Sequence, residues 1–410
     1  MTNLTSKSPQ LYTKKQFDIN KVACLFLYMY LMFSTLVIIP WIPNVLNTYS
    51  LYGFVVIGLT EFLLFKRSFA LRTHTIWYFL FCLICLCSSF YSANMDISLA
   101  TTLEMVKILV FSFVAANTLN SQKKINTCIG IYSISCTILY AYLATTGQLI
   151  ASTEERLGET LVGNANAFAN TFMVAALFSI YFIFFAKNKF AKICFFAMFC
   201  MQLHALALSG SRKNFILPII LLCLMKLIST DKRGRKHLIK NTIIVTLILF
   251  IAFYSIFNVE FLYNSIGYRM EGLVSLATGE GTIDYSSEIR TGMVEEALRL
   301  WQNRLFFGNG IDTFKKISSY NTYSHNNYAE LLCDIGIFGF SFYYIFYAIG
   351  IFKLLNQRNR GDYRWYWLFS LISLLAFDLG AITYNMFIVQ FLLLICIMDP
   401  DKNKQSERNI

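Results

Sequence analysis

Three short stretches of the 410-residue chain hold residue types suited to gripping an oxyanion and moving a proton. The first is Leu208-Ser209-Gly210-Ser211-Arg212-Lys213. Adjacent cations at the edge of an apolar run either snorkel to lipid headgroups or clamp a phosphate, whose oxygens a guanidinium binds bidentately. On these residues alone both readings stay open. The second is Arg290 in Ser287-Glu288-Ile289-Arg290, where an ion pair with Glu288 or Glu295 is the plainer reading. The third is Tyr323-Ser324-His325-Asn326-Asn327-Tyr328. A lone interfacial His is usually structural, but two Asn follow this one. It therefore offers a tunable base or donor among amides that hydrogen-bond hydroxyls.

The chain that must position these residues is mostly apolar. Apolar residues make up 56% and charged residues 14%, and the mean hydropathy is +0.53. A soluble domain is nearer about 25% charged. This excludes a soluble enzyme, a disordered tail and a disulfide-rich secreted domain, and leaves a polytopic membrane protein that uses the lipid bilayer to bury its surface. The net charge of +12 does not indicate a nucleic-acid partner, because the basic residues form short clusters between apolar runs and no basic face or binding motif accompanies them. All eleven cysteines lie in apolar runs, so no disulfide framework is implied. Cys82, Cys85 and Cys87 read as core packing rather than as a thiolate site. With no His or Cys cluster at ligand spacing, no metal is expected.

A helix needs about 20 apolar residues to cross about 30 Å of hydrocarbon. That ruler predicts an all-α, polytopic transmembrane helical bundle of about twelve spans. They fall near 22–40, 46–65, 74–91, 98–119, 125–147, 165–185, 190–209, 213–230, 238–258, 326–352, 365–380 and 383–398. The last two are short enough to form one re-entrant hairpin. The polar stretch before the first run is too long for a signal peptide, so the first span is expected to be retained. With the N-terminus in the cytoplasm, the inner segments hold 24 Lys and Arg and the outer segments nine. Both termini are therefore expected to be cytoplasmic. The chain then divides into a cytoplasmic tail (1–21), nine spans (22–258), one large folded periplasmic loop (259–324), three spans (325–398) and a second tail (399–410). Apolar spacing predicts a helix in the loop from about Ser287 to Trp301, and Gly308-Asn309-Gly310 is a turn. All three chemistry-bearing stretches fall on the outer side. No internal repeat is visible.

Four stretches, in this order, resemble the O-antigen ligase and polymerase superfamily of bacterial inner membranes. They are Gly163-Asn164-Ala165-Asn166 entering the sixth span, Ser209-Gly210-Ser211-Arg212, Arg290 through Trp301 to Gly308-Asn309-Gly310, and Ser324-His325-Asn326-Asn327-Tyr328-Ala329-Glu330-Leu331-Leu332 running to Gly336 and Gly339. The resemblance covers about 160–345 in motifs and the whole chain in topology. It implies a metal-independent, cofactor-free glycosyltransferase that uses undecaprenyl-diphosphate-linked oligosaccharide at the periplasmic face, with a chain-length regulator and a flippase as partners. By resemblance, Arg212 and Arg290 bind the diphosphate and His325 positions or deprotonates the acceptor hydroxyl. Lys213, Asn326, Asn327, Glu330, Asn164 and Asn166 are then the expected substrate-binding residues. The Ser-His-Asn-Asn-Tyr form looks more like polymerases, which join a lipid-linked glycan to a lipid-linked repeat unit. Ligases move the finished glycan to lipid A-core, and those of enteric type look more like His-x-His-Asn-Glu, whereas position 323 is Tyr. A transporter of the same lipids is the competing class. It would need charge along a central cavity, and the spans are apolar there apart from Glu104, Lys107 and His204.

The remaining polar residues read more simply. Glu104 and Lys107, one turn apart, can neutralise each other. Glu61 and Asp378 lie near span ends, within reach of headgroups, and Lys226 snorkels to the cytoplasmic interface. His74 and His237 read as cytoplasmic-side loop residues and His204 as a satisfied bundle residue. Glu330 and Asp334 lie one turn apart below His325, with Glu330 placed to orient the site. Glu154-Glu155-Arg156-Leu157-Gly158-Glu159 reads as a solvated acidic loop, with Arg156 able to touch the glycan.

Overall fold

A computed structural model describes residues 19–65, 70–149, 156–228, 235–278, 285–357 and 361–398. Glu154, Glu155 and the basic residues Lys7, Lys14, Lys15, Lys66, Arg67, Lys232, Arg233, Arg358, Arg360, Lys402, Lys404 and Arg408 lie outside the described residues. Among the described residues the regular structure is all helical. The first half holds α1 (Ile19–Leu36), α2 (Asn44–Phe65), α3 (Thr73–Ser89), α4 (Met95–Thr118), α5 (Gln122–Thr145), a short α6 (Glu159–Val162), α7 (Ala165–Phe185), α8 (Lys189–Leu208), α9 (Arg212–Ile228) and α10 (Arg235–Asn258). After these come α11 (Glu260–Leu262), a π turn (Tyr263–Gly267), α12 (Tyr268–Thr278), α13 (Tyr285–Gln302) and α14 (Phe314–Ile317). The chain ends in α15 (Asn327–Asn356), α16 (Asp362–Asp378) and α17 (Phe387–Ile397).

Every one of the twelve apolar runs forms a helix. Among the described residues, seven helices are both long and apolar enough to cross a membrane, while α3 and α17 are apolar but shorter. Asn side chains start four helices by accepting the exposed N–H groups of the first turn: Asn94, Asn164, Asn188 and Asn326. The bundle packs α1 on α2 and α5, α7 on α5, α8 and α9, and α16 on α9 and α15. Its core is rich in aromatic rings, such as Trp77 stacked on Phe346 at 4.2 Å between α3 and α15.

The last two apolar runs form helices of unequal length. With 11 residues, α17 rises only about 16 Å, half the hydrocarbon thickness. The non-helical backbone leading into it is buried in protein, which is where such backbone is tolerated at membrane depth. The Thr383 N–H donates to Asn327 Oδ1 (2.9 Å), Tyr78 donates to the Tyr384 carbonyl (2.9 Å), and Gln390 Nε2 donates to the Thr383 and Tyr384 carbonyls.

The helix expected at 287–301 is α13, and it packs on α15 through Met293, Ala297, Phe314, Ala329 and Cys333. The turn Gly308-Asn309-Gly310 is locked to a break in α15 at Gly336, where φ is 64° and ψ −172°. The break frees the N–H groups of Ile337 and Phe338, which donate to the carbonyls of Leu305 (2.9 Å) and Phe306 (3.3 Å). In return the N–H groups of Asn309 and Gly310 donate to the carbonyls of Cys333 (3.0 Å) and Asp334 (2.7 Å). A Cβ at Gly336 would lie 2.3 Å from the Phe306 carbonyl oxygen, so a glycine is required both for its φ and for this approach.

The side-chain expectations meet mixed outcomes. Glu104 and Lys107 pair at 2.6 Å, and His204 bonds Tyr140 at 3.0 Å, both as read from the sequence. Glu61 and Asp378 do not reach outward: both are buried, Glu61 accepting from Asn20 and Asp378 from Thr383 and Tyr344. His74 and His237 fall in helices rather than loops. His74 is buried on α3 against Trp77, Tyr78 and Phe346, with Nε2 3.3 Å from Gln390 Oε1. For Glu61, Asp378 and His74 a partner distant in sequence, Asn20, Tyr344 and Gln390, holds the polar group inside, so sequence position alone misplaces it.

Candidate functional site

A cavity of about 490 Å³ opens where seven segments meet. The connection ahead of α7 contributes Arg156, and the first turn of α7 contributes Asn166. The α8–α9 turn gives Gly210 through Lys213, and the start of α12 gives Arg269. From α13 come Ser287 and Arg290, from the approach to α15 Ser324, His325 and Asn326, and from the α16–α17 link Leu379 and Gly380. Among the described residues five cations line it and no Asp or Glu does. Such a cavity attracts anions strongly, because its low-dielectric walls concentrate the field.

Gly210 makes the approach of two of these cations possible. Its φ is +61°, and a Cβ there would sit 3.0 Å from the Ser265 carbonyl oxygen, 3.3 Å from Arg156 Nε and 3.5 Å from Arg269 Nε. Arg156 is fixed by donating to the Ser209 carbonyl (2.9 Å) and to Asn166 Oδ1 (3.3 Å), with Glu159 3.5 Å away on its outer side. Burial, then the charge of Arg269, lowers its pKa to about 10, which still leaves it protonated at neutral pH. Arg212 donates to the Arg269 carbonyl and to Ser287 Oγ (2.7 Å), so its fork is aimed across the turn at α13. Lys213 is sunk beneath Gly380, with Nζ 4.5 Å from the centroid of the Phe377 ring. Among the described residues its buried ammonium has no hydrogen-bond acceptor.

His325 sits in the left-handed region, at φ 58°. A non-glycine residue persists there only when its surroundings hold it. Two anchors do so. The Ser324 N–H before it donates to Glu330 Oε2 (2.7 Å), and Asn326 after it caps α15 by accepting from the N–H groups of Tyr328 and Ala329 (3.0 and 3.1 Å). The ring packs on Tyr323 at 4.2 Å between centroids. Burial, then Arg290 and Lys213, lowers the imidazole pKa to about 4. It is therefore neutral at pH 7 and available to accept a proton.

Of the residues picked from the sequence, Arg212, Lys213, Arg290, His325, Asn326 and Asn166 line the cavity. Asn164, Asn327 and Glu330 are absent from that lining and support it. Asn164 caps α7 and donates to the Tyr323 hydroxyl (3.3 Å). Asn327 is buried, donating to Tyr344 (3.0 Å) and accepting from the Thr383 N–H. Glu330 is buried and holds Ser324. The residue that sequence reasoning passes over is Arg269, and Arg156 is underweighted. The available signal was an arginine on the outer side of the charge count, which those two share with seven other cations.

The fold and this site define a polytopic helical membrane protein built around a cationic cavity with a neutral histidine on its edge. Residues 196–344 match the family model described as O-antigen ligase, consistent with the O-antigen polymerase and ligase superfamily. The match takes in Arg212, Lys213, Arg269, Arg290 and His325, and leaves Arg156, Asn164 and Asn166 outside it. It supports activity of the O-antigen ligase and polymerase type, a glycosyltransferase chemistry on lipid-linked polysaccharide in a membrane. No curated protein matches the chain.

Proposed function

We propose that the protein is a surface-polysaccharide polymerase of the bacterial inner membrane. In this reading it transfers an undecaprenyl-diphosphate-linked glycan onto a lipid-linked repeat unit at the periplasmic face. The observation that carries it is the meeting of five cations and a neutral His325 in one cavity whose lining, among the described residues, has no carboxylate. The acceptor hydroxyl oxygen attacks the anomeric carbon while the bond from that carbon to the diphosphate oxygen breaks. The bonding electron pair leaves with the diphosphate, and the hydroxyl proton passes to His325. The leaving diphosphate gains negative charge on the way, so fixed cations bind the transition state more tightly than the ground state. Arg212 and Arg290 hold the diphosphate with their forks, and Lys213 adds a point charge from below. These side chains supply the charge stabilisation that the departing group requires, which makes the transfer metal-independent. Attack opposite the leaving group inverts the anomeric centre. Asn166 and Asn326 offer amides to sugar hydroxyls, while Asn164, Asn327 and Glu330 act by holding the cavity's walls. A flippase delivers the lipid-linked units to this face, and a chain-length regulator acts beside the enzyme.

The second reading is a ligase that moves the glycan to lipid A-core, favoured by the description of the matched family. Deleting the gene in its native host and running the lipid-linked surface glycans on a gel separates the two. Core capped by a single repeat unit is the result expected of a lost polymerase. Bare core, with long polymer still accumulating on undecaprenyl diphosphate, would identify a ligase. An unchanged ladder would overturn both.

A further inference from the structure

The five cations fall into two groups on either side of the Gly210–Arg212 turn. His325 feels Arg290 first and Lys213 second among charged neighbours, whereas Arg156 feels Arg269 first and Arg290 after it, and Arg156 Nε and Arg269 Nε converge over Gly210. Arg212 lies between them, its fork engaged by the Arg269 carbonyl and Ser287. A diphosphate that bridges a lipid and a sugar carries one negative charge on each phosphate, and Arg212, Arg290 and Lys213 already meet that charge. The second pair is surplus to it, and it is built rather than incidental. Arg156 is 13% exposed at its side chain and oriented by Ser209 and Asn166. The Arg269 guanidinium donates no hydrogen bond within the described residues and lies 5.2 Å from the centroid of the Tyr268 ring. Two guanidiniums converging over one glycine repel each other, and among the described residues Glu159 pairs with Arg156 and no carboxylate pairs with Arg269. An anion seated between them removes that repulsion and receives two forks.

We propose that Arg156 and Arg269 form a second oxyanion subsite, which takes an acidic group carried by the glycan itself, a uronate carboxylate or a phosphate substituent. This rests on the glycosyl-transfer reading and extends it from the lipid diphosphate to the sugar: the substrate is an acidic polysaccharide.

The test uses the purified full chain in lipid nanodiscs. D-glucuronate, glucose 6-phosphate and neutral glucose are each titrated with and without saturating inorganic pyrophosphate, and binding is read by ligand-observed NMR. The acidic sugars are expected to bind alongside pyrophosphate, and glucose to bind far more weakly. Arg269→Gln keeps the backbone carbonyl that Arg212 uses. It is expected to weaken the acidic sugars by about tenfold or more while leaving pyrophosphate binding within about twofold, and Arg290→Gln is expected to do the reverse. Whichever acidic sugar binds more tightly identifies the anion as carboxylate or phosphate. Displacement of the acidic sugars by pyrophosphate, or equal weakening of both by Arg269→Gln, would reduce the five cations to one diphosphate cradle and overturn the subsite. Pyrophosphate binding without any acidic-sugar binding would overturn the subsite and leave the polymerase reading standing. Failure to bind pyrophosphate would overturn both.

Discussion

At the scale of single residues, the chemistry turns on the proton affinity of His325. Burial and two nearby cations hold its pKa at about 4 in the free protein. A base held that low is competent at neutral pH and loses function only as acid protonates it. The acid limb of kcat/KM, which reports the free enzyme, is therefore expected near pH 4 rather than near 6.5. A bound diphosphate neutralises the charges of Arg290 and Lys213, which raises the imidazole pKa in the complex. The acid limb of kcat is then expected at higher pH than that of kcat/KM, and a pH series of initial rates checks both. Arg290→Ala is expected to insert at normal abundance and to lose about 100-fold or more in rate, the cost of one donor at a developing oxyanion. Full activity of that variant at normal abundance would remove Arg290 from the site. The cavity residues were legible where they adjoin a motif and illegible where the fold alone gathers them. Arg156 meets Ser209 across 53 positions of sequence, and nothing in its acidic neighbourhood announces that contact. Asn327 and Glu330 adjoin His325 in sequence, yet they sit at i, i+3 on one face of α15, and that face is turned into the protein.

At the scale of elements, the site hangs on the first turns of α15 and on the break that follows. Gly336 and the Gly308–Gly310 turn interlock through four backbone hydrogen bonds, which sets α13 and its Arg290 against the His325 loop. Gly336→Ala is expected to lower stability by about 2 kcal/mol or more, since it adds a Cβ at φ +64° and within 2.3 Å of a carbonyl oxygen. Gly147→Ala is the matched control. Its φ is +71°, but no atom of the described residues lies within 4 Å of a Cβ placed there, so only the conformational cost of about 1 kcal/mol is expected. Thermal unfolding of the two variants in the same detergent checks the difference. The helices were legible because a run of about 20 apolar residues admits little else in lipid. The break at Gly336 was not, because a lone glycine in an apolar run does not reveal which strand of chain will press against it.

At the scale of the whole molecule, the cavity exists because connections far apart in sequence reach the same end of the bundle. Asp378 is a tie among them. Its buried carboxylate accepts from Thr383 Oγ1 (2.6 Å) and the Tyr344 hydroxyl (2.9 Å), and Asn327 Nδ2 lies at 3.4 Å. This joins α15 and α16 to the link that carries Leu379 and Gly380. Asp378→Ala is expected to cost about 1–3 kcal/mol for each buried donor left without a partner. Glycan transfer should fall with it only as far as folded protein is lost, which thermal unfolding and rate measured on one preparation will show. The central claim is that the cation cavity and His325 together carry out glycosyl transfer. The measurement that addresses it most directly is the initial rate of glycan transfer from an undecaprenyl-diphosphate donor by purified His325→Ala in nanodiscs, beside its affinity for pyrophosphate. The account predicts a rate down by about 100-fold or more with pyrophosphate affinity nearly unchanged. A rate equal to that of the unsubstituted protein would contradict it.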